Sequence, residues 1–296
     1  MPENEQFQKD WLRKKGYRII NSLMNTFKNH RDSDEVCKLI YEMMRNKQDL
    51  DSLFFMISQW GGRDKTYPFY FGFGTITSRI TMRQPSLQNM RRANRSIIKA
   101  DLGKKLLYID YSQFEAGILA SLSDDKELIN LYNIDIYKDL AKFVFNDESE
   151  EGRKNAKIIF YRYMYGDKTL NIKAKEYFNK FGSLKKFVSQ VEIDMQKNSS
   201  IGTSLGNFRN ATSKESTWAL SHKIQATASL IFKKALIRVY KEVNDAEFLI
   251  PMHDAALYQV NDAAYGSSKE KIETIFKDEF KKACPQITPK VNIGNW

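Results

Sequence analysis

Asp110 and Asp254 are the residues of this 296-residue chain best suited by type and setting to carry out chemistry. Leu106-Leu107-Tyr108-Ile109 is an apolar, partly β-branched run that reads as a buried strand and delivers Asp110 to its end. Near the other end of the chain, Phe248-Leu249-Ile250-Pro251-Met252 leads into His253-Asp254, and Ala256-Leu257-Tyr258-Gln259-Val260 leads out. A carboxylate beside such runs is costly unless it meets a cation or hydrogen-bond donors. Two strands that each present one Asp could build a site for divalent metal. That arrangement suits phosphoryl transfer, in which two ions clamp the attacking and leaving oxygens.

A second constellation lies between them. Arg153, Lys157, Tyr161 and Tyr165 recur every four residues in a segment that reads as helix and stops at Gly166. At 3.6 residues per turn they drift slowly around one face, so all four can project into one groove. Cations for phosphates and rings for base and sugar suit a nucleoside triphosphate. A basic face beside an aromatic packing face is commoner, so the pattern draws its weight from its place between the two Asp strands.

The elements that must position these groups can be read coarsely. Residues 6–60 read as helical, with Trp11, Ile19, Ile20, Leu23, Met24 and Phe27 at helix spacing and a solvated basic face. Residues 61–78 change character, interleaving Gly with Tyr67, Phe69, Tyr70, Phe71 and Phe73 in the manner of a turn followed by strands or of a loop lying against something flat. The first Asp strand and its exit helix occupy 106–120, and a mostly helical segment follows to about 200. Residues 198–203 read as a loop, 214–243 as a long helix, 247–260 as the second Asp hairpin and 268–283 as an amphipathic helix.

Composition fits a phosphate-bearing partner. The chain has 47 Lys+Arg against 36 Asp+Glu, a net charge of +11, and neutralising phosphates releases counterions. With 13% aromatic and 42% hydrophobic residues it is not a disordered basic tail. Cys37 and Cys284 are isolated, so neither a zinc site nor a disulfide framework is expected. The N-terminus has no signal pattern and no apolar run approaches a membrane span, which gives a cytoplasmic protein as the expectation.

Asp110-Tyr111-Ser112-Gln113-Phe114-Glu115 resembles motif A of the family A DNA polymerases, those similar to bacterial DNA polymerase I. Arg153 through Tyr161, continuing to Tyr165-Gly166, resembles motif B on the fingers helix, and His253-Asp254 resembles motif C. Thr77-Ser78-Arg79-Ile80, followed by Pro85-Ser86-Leu87-Gln88-Asn89, is similar to the family's TGRLSS…PNLQN stretch, and Ile224-Gln225-Ala226-Thr227-Ala228 to its IQGTAAD helix. Five motifs in the family's order, over roughly residues 72–260, make a specific match.

The resemblance implies an α+β fold of right-hand polymerase architecture, with an antiparallel palm sheet, helical fingers and a reduced helical thumb. Residues 1–71 would be a helical N-terminal region serving as that thumb, 72–120 the first part of the palm, 121–213 the fingers and 214–296 the second part of the palm. It implies a template-directed DNA polymerase of minimal size, of the kind carried by a phage or plasmid, adding dNTPs to a primer 3′ end without a proofreading exonuclease. Asp110 and Asp254, with the Tyr111 carbonyl, would hold two Mg²⁺ ions, for which Mn²⁺ could substitute. Arg153 and Lys157 would hold the triphosphate, with Lys157 also a proton donor to pyrophosphate. Glu115 would be the steric gate under the sugar, Tyr161 would stack near the incoming nucleotide, Tyr165 near the templating position, and Gln113 would join the substrate-binding set. Arg79, Gln88, Asn89, Gln225 and His253 would touch primer-template DNA.

Departures from the family pattern set further expectations. Ala255 stands where Glu is usual, removing a third carboxylate, and Arg162 stands where Gly is usual, where it should crowd the fingers helix or add a phosphate contact. Gly117 replaces an Arg, and Ser221 and Lys223 replace Asn and Pro. Ala255 also supports the competing reading, a catalytically decayed DNA-binding or scaffold protein. Retention of Asp110, Asp254, Arg153 and Lys157 opposes it, and Glu115 argues against a ribonucleotide polymerase.

Overall fold

The structure is a computed structural model that describes residues 4–211, 217–294 and Trp296. It divides into two compact units, one of Met1–Phe69 with Arg83–Asn94, the other of Tyr70–Met82 with Arg95–Trp296.

In the first unit, α1 (Glu5–Lys14), α2 (Leu23–His30) and α3 (Glu35–Ser58) replace the single helical stretch expected over 6–60. The breaks are local chemistry. Gly16 takes φ +75°, and the side chains of Ser22 and Asp34 accept hydrogen bonds from the first backbone N–H groups of α2 and α3. Ile19 and Ile20 therefore lie in a connection, partly exposed, while Leu12, Phe27, Cys37 and Ile40 form the small core. A short 3₁₀ turn, Leu87–Asn89, belongs to the same unit.

Short strands β1 (Phe69–Phe71) and β2 (Thr81–Arg83) pair with each other. The second unit is built on a four-stranded antiparallel sheet. Its strands are β3 (Lys104–Tyr111), β6 (Ala246–Met252), β7 (Ala255–Asn261) and β8 (Val291–Gly294), in the order β6-β7-β3-β8. Alternation along β3 buries Leu107, Ile109 and Tyr111 on one face and leaves Leu106, Tyr108 and Asp110 partly open on the other.

The buried face carries helices. α4 (Phe114–Ser123), α10 (Ala219–Glu242) and α11 (Tyr265–Ala283) pack on one another and on the sheet. Tyr111 stacks on Phe114 at 4.0 Å between ring centres, and Phe280 meets both rings edge-on. Gly117 of α4 is sealed into this layer: a Cβ there would lie 2.8 Å from Tyr132 and 2.9 Å from Phe280, so no Arg could stand in its place. A second helical layer comprises α5 (Lys126–Ile134), α6 (Ile136–Phe145), α7 (Glu150–Met164), α8 (Ile172–Asn179) and α9 (Gly182–Asn198).

The stretch read as a loop at 198–203 contains a strand instead. β4 (Ser200–Gly202) pairs with β5 (Phe208–Asn210) in a small hairpin. Of the long helix expected over 214–243, residues 214–216 lie outside the described residues, and α10 accounts for most of the rest. Among the described residues, no helix is long and apolar enough to cross a membrane.

Candidate active site

Sheet register brings the two aspartates to one corner. β3 pairs with β7 so that Asp110 stands opposite Ala255, the residue that follows Asp254. β6 and β7 are joined by a two-residue turn, His253-Asp254, with Met252 paired to Ala255. His253 takes φ +56° there, the backbone that a tight hairpin turn demands at its first central position. The Tyr111 N–H reaches the Asp254 carbonyl at 3.4 Å. The Tyr111 side chain faces the core and donates to the Phe276 carbonyl, so only its backbone is available near Asp110.

Glu115 enters from the first turn of α4, 2% exposed. Arg79 donates to one of its oxygens at 2.8 Å and lies 3.9 Å from an Asp254 oxygen. The other Glu115 oxygen is buried without a partner, as is the side-chain oxygen of Gln113, which starts α4 at φ +52°. Three carboxylates thus share a partly buried corner. Burial, then the charge of Asp254, pushes Asp110 up to about 6 and Glu115 up to about 7. Burial raises Asp254 as well, opposed by Arg79, His253 and Lys157.

These residues fit a divalent cation. Asp110, at the end of β3, and Asp254, in the β6–β7 turn beside it, are hard oxygen donors, and their mutual repulsion at half-buried positions is what a bound cation relieves. Among the described residues, no three His, Cys, Asp or Glu side chains form a ready ligand set, so the side-chain donors here are the two carboxylates.

The α7 ladder faces this corner only in part. Lys157 is exposed, and its charge acts on Asp110, Glu115 and Asp254 alike. Its Nζ lies 5.9 Å from the Tyr161 ring, and Tyr161 and Tyr165 lie 6.2 Å apart. Gln225 on α10 donates to the Tyr165 hydroxyl at 2.9 Å, tying two of the expected residues together. Arg153 is drawn aside: its Nε donates to Asp135 at 2.8 Å, and its guanidinium lies over the Tyr137 ring. Arg162 leaves α7 unbroken, donating to Asp167 at 2.6 Å and to Thr169 at 3.1 Å. α7 ends on Gly166 at φ +72°, where a Cβ would come within 2.7 Å of the Thr217 carbonyl. His253 is exposed on its turn. Gln88 and Asn89 lie on the 3₁₀ turn of the other compact unit, where the Asn89 amide donates to the Ser86 hydroxyl.

The model of DNA polymerase family A matches residues 4–295. The chain belongs to DNA polymerase family A. Among its relatives in that family, the DNA polymerase I of Mycobacterium tuberculosis is 28% identical over 74% of this chain and 28% of its own length. The Helicobacter pylori DNA polymerase I is 26% identical over 73% of this chain, and a thermostable DNA polymerase I of Thermus caldophilus is 26% identical over 74%. The chain therefore spans well under a third of the length of these relatives. In fold, it is similar to the POL domain of Pol1 from M. smegmatis, a structure solved with DNA primer-template and dNTP. The TM-score is 0.76 at 22% identity, covering 92% of this chain and 55% of that one. The α+β architecture with antiparallel sheets is thus that of a family A polymerase domain.

Four residues near the site escape the sequence patterns. Arg95 acts on Asp110 and is flanked by Trp296, whose ring centre is 4.7 Å away, and by Tyr108 at 5.9 Å. Asp135 holds Arg153, and its one readable signal is its helix-capping role ahead of α6. Asn207 and His222 carry no sequence signal at all.

Proposed function

We propose that this chain is a template-directed DNA polymerase that adds dNTPs to a primer 3′ end by two-metal-ion phosphoryl transfer, without proofreading. The observation that carries the reading is the meeting of Asp110, at the end of β3, with Asp254 in the adjoining β6–β7 turn, beside an Arg79–Glu115 pair and under the field of Lys157. Asp110, Asp254 and the Tyr111 carbonyl would hold Mg²⁺, with Mn²⁺ able to substitute. Such ions, when bound, draw negative charge from phosphate oxygens. Palm, fingers and reduced thumb are assigned as the sequence motifs suggest: 72–120 with 214–296, 121–213, and 1–71.

The remaining work falls to the chain's own side chains. Lys157, exposed and close enough for its charge to act on the three carboxylates, is suited to steady the triphosphate and return a proton to the leaving pyrophosphate. Glu115, nearly inaccessible and held by Arg79, is suited to exclude a 2′-hydroxyl. Tyr161 and Tyr165 offer rings to nucleotide and template, and Gln225, Arg79, Gln88, Asn89 and His253 offer donors to DNA.

Primer extension tests the reading directly. With a DNA primer-template, dNTPs and Mg²⁺, extension should proceed, dNTPs should be preferred over rNTPs, and a mismatched 3′ end should not be excised. Duplex binding should weaken linearly in log K against log salt, with little sequence preference. A protein inert with Mg²⁺ and Mn²⁺ alike, yet still binding duplex, would favour the scaffold reading that Ala255 invites.

A further inference from the structure

The turn that carries Arg79 has an unusual anchor. Ser78, 3% exposed, adopts φ +62°, where a side chain is strained, and the TGRLSS stretch that this segment resembles has Gly at that position. Local bonds close one side of the turn. The Ser78 N–H donates to the Thr75 carbonyl at 2.9 Å, and the Arg79 N–H donates to the Thr75 hydroxyl at 2.9 Å. The other side is held from 129 residues away. The Asn207 amide nitrogen, on the loop of the β4–β5 hairpin, donates to the Ser78 hydroxyl and, at 3.2 Å, to the Ile76 carbonyl.

The orientation of that amide is dictated. Turned over, its oxygen would face the Ile76 carbonyl, acceptor against acceptor. The Asn207 oxygen therefore points to His222 on α10, whose Nε2 lies 2.8 Å from it and must be the donor. His222 is 1% exposed, and its other ring nitrogen is buried without a partner, which suits the neutral ring. Burial, then the charge of Arg209, lowers the imidazole to about 4, so it stays neutral near pH 7. The chain of contacts runs from α10 through His222, Asn207 and Ser78 to Arg79, and from Arg79 to Glu115 and Asp254.

We propose that Asn207 and His222 are positioning residues for sugar selection, fixing the Ser78 turn so that Arg79 holds the Glu115 carboxylate still. The inference rests on the reading of Glu115 as the gate against a 2′-hydroxyl. A free carboxylate can swing aside. One pinned through a buried relay cannot, and the strain at Ser78 gives the turn a standing tendency to relax once the relay is cut.

Steady-state incorporation of one dNTP and its rNTP by the wild type, Glu115→Ala, Asn207→Ala and the two double variants Asn207→Ala/Glu115→Ala and Asn207→Ala/Ser78→Gly tests this. Asn207→Ala should lower the dNTP-over-rNTP preference in kcat/KM by about tenfold, the size expected of a coupled contact. The loss should vanish in the Glu115→Ala background, because both act on one group, and Ser78→Gly should restore much of it by relieving the left-handed strain. Asn207→Asp keeps the shape and the oxygen facing His222 but removes the donor, and serves in place of Asn207→Ala if that variant is unstable by thermal melting. A preference unchanged in Asn207→Ala, a loss additive with Glu115→Ala, or a loss that Ser78→Gly leaves untouched would overturn the relay while leaving the gate standing. If Glu115→Ala itself does not change the preference, the gate reading falls, and the relay with it.

Discussion

At the sheet corner, Asp110, Asp254 and Glu115 are set by strand register, a two-residue turn and the first turn of α4, with Glu115 buried and the two aspartates half-buried. On α7, Lys157 and Tyr165 stand exposed on a helix face, and Arg153 is committed to Asp135. The first region has its geometry fixed before any ligand arrives, since charges this costly to bury are tolerated only where backbone and neighbours overdetermine them. The second can swing. Removing a carboxylate from the corner should therefore act in an all-or-none way, and substitutions on the ladder in a graded one.

The largest effect should come from the corner. Asp110→Ala or Asp254→Ala should lower the extension rate by roughly a thousandfold or more, several kcal/mol of lost charge stabilisation, while primer-template affinity changes little. Residual turnover near wild type in either variant would show that the pair does not hold the metal.

On the ladder, the two cations should separate. Lys157→Ala should reduce kcat by about a hundredfold, within the range of general acid catalysis, because its charge already acts on all three carboxylates. Arg153→Ala should cost about tenfold and appear mainly in KM, since a guanidinium bonded to Asp135 must be released to meet a phosphate. Asp135→Asn should then lower KM for the dNTP. An Arg153 variant as impaired as Lys157→Ala would mean that the Asp135 pair is part of the working site rather than a resting place.

Much of this contrast was legible in the sequence, and for physical reasons. An apolar run ending in Asp is a strand delivering a charge, and it was readable at both Asp110 and Asp254 because burial imposes the pattern locally. Four-residue spacing likewise gave the α7 face. The sequence could not say that Arg153 turns to Asp135, 18 residues away, or that Arg95 is flanked by Trp296 and Tyr108, because only tertiary packing joins them. β4 and β5 are three residues each, too short for alternation to show, so their hairpin read as a loop. The helical N-terminal stretch was recognisable in type but not in its breaks, which rest on the backbone at Gly16 and on caps at Ser22 and Asp34.

Tyr161 offers a smaller test of the graded region. If Tyr161 sits beside the incoming sugar as proposed, its hydroxyl would replace the hydrogen bond that a missing 3′-hydroxyl would supply, so the wild type should accept dideoxynucleotides readily. Tyr161→Phe should raise discrimination against them by about tenfold, one hydrogen bond's worth. Strong rejection by the wild type would mean that the ring does not sit by the sugar.

The smallest effect returns to the corner, at Ala255. This residue is 1% exposed and directly opposite Asp110 in the β3–β7 register, so the two side chains share a face of the sheet. A carboxylate placed there by Ala255→Glu would stand beside Asp110 and add to the field that attracts the cation. At the effective dielectric of about 20 that suits half-buried charges, the gain net of desolvation is about 1 kcal/mol, so the Mg²⁺ concentration for half-maximal rate should fall about fivefold. Without metal, the same substitution sets like charges opposite each other in a tight site and should destabilise the fold by about 1–3 kcal/mol, with Mg²⁺ recovering part of the loss. Extension rate and melting temperature titrated against Mg²⁺ in both proteins read the two effects separately. A lower melting temperature that Mg²⁺ does not restore, with an unchanged midpoint for activity, would place the bound ions away from the Ala255 side of Asp110.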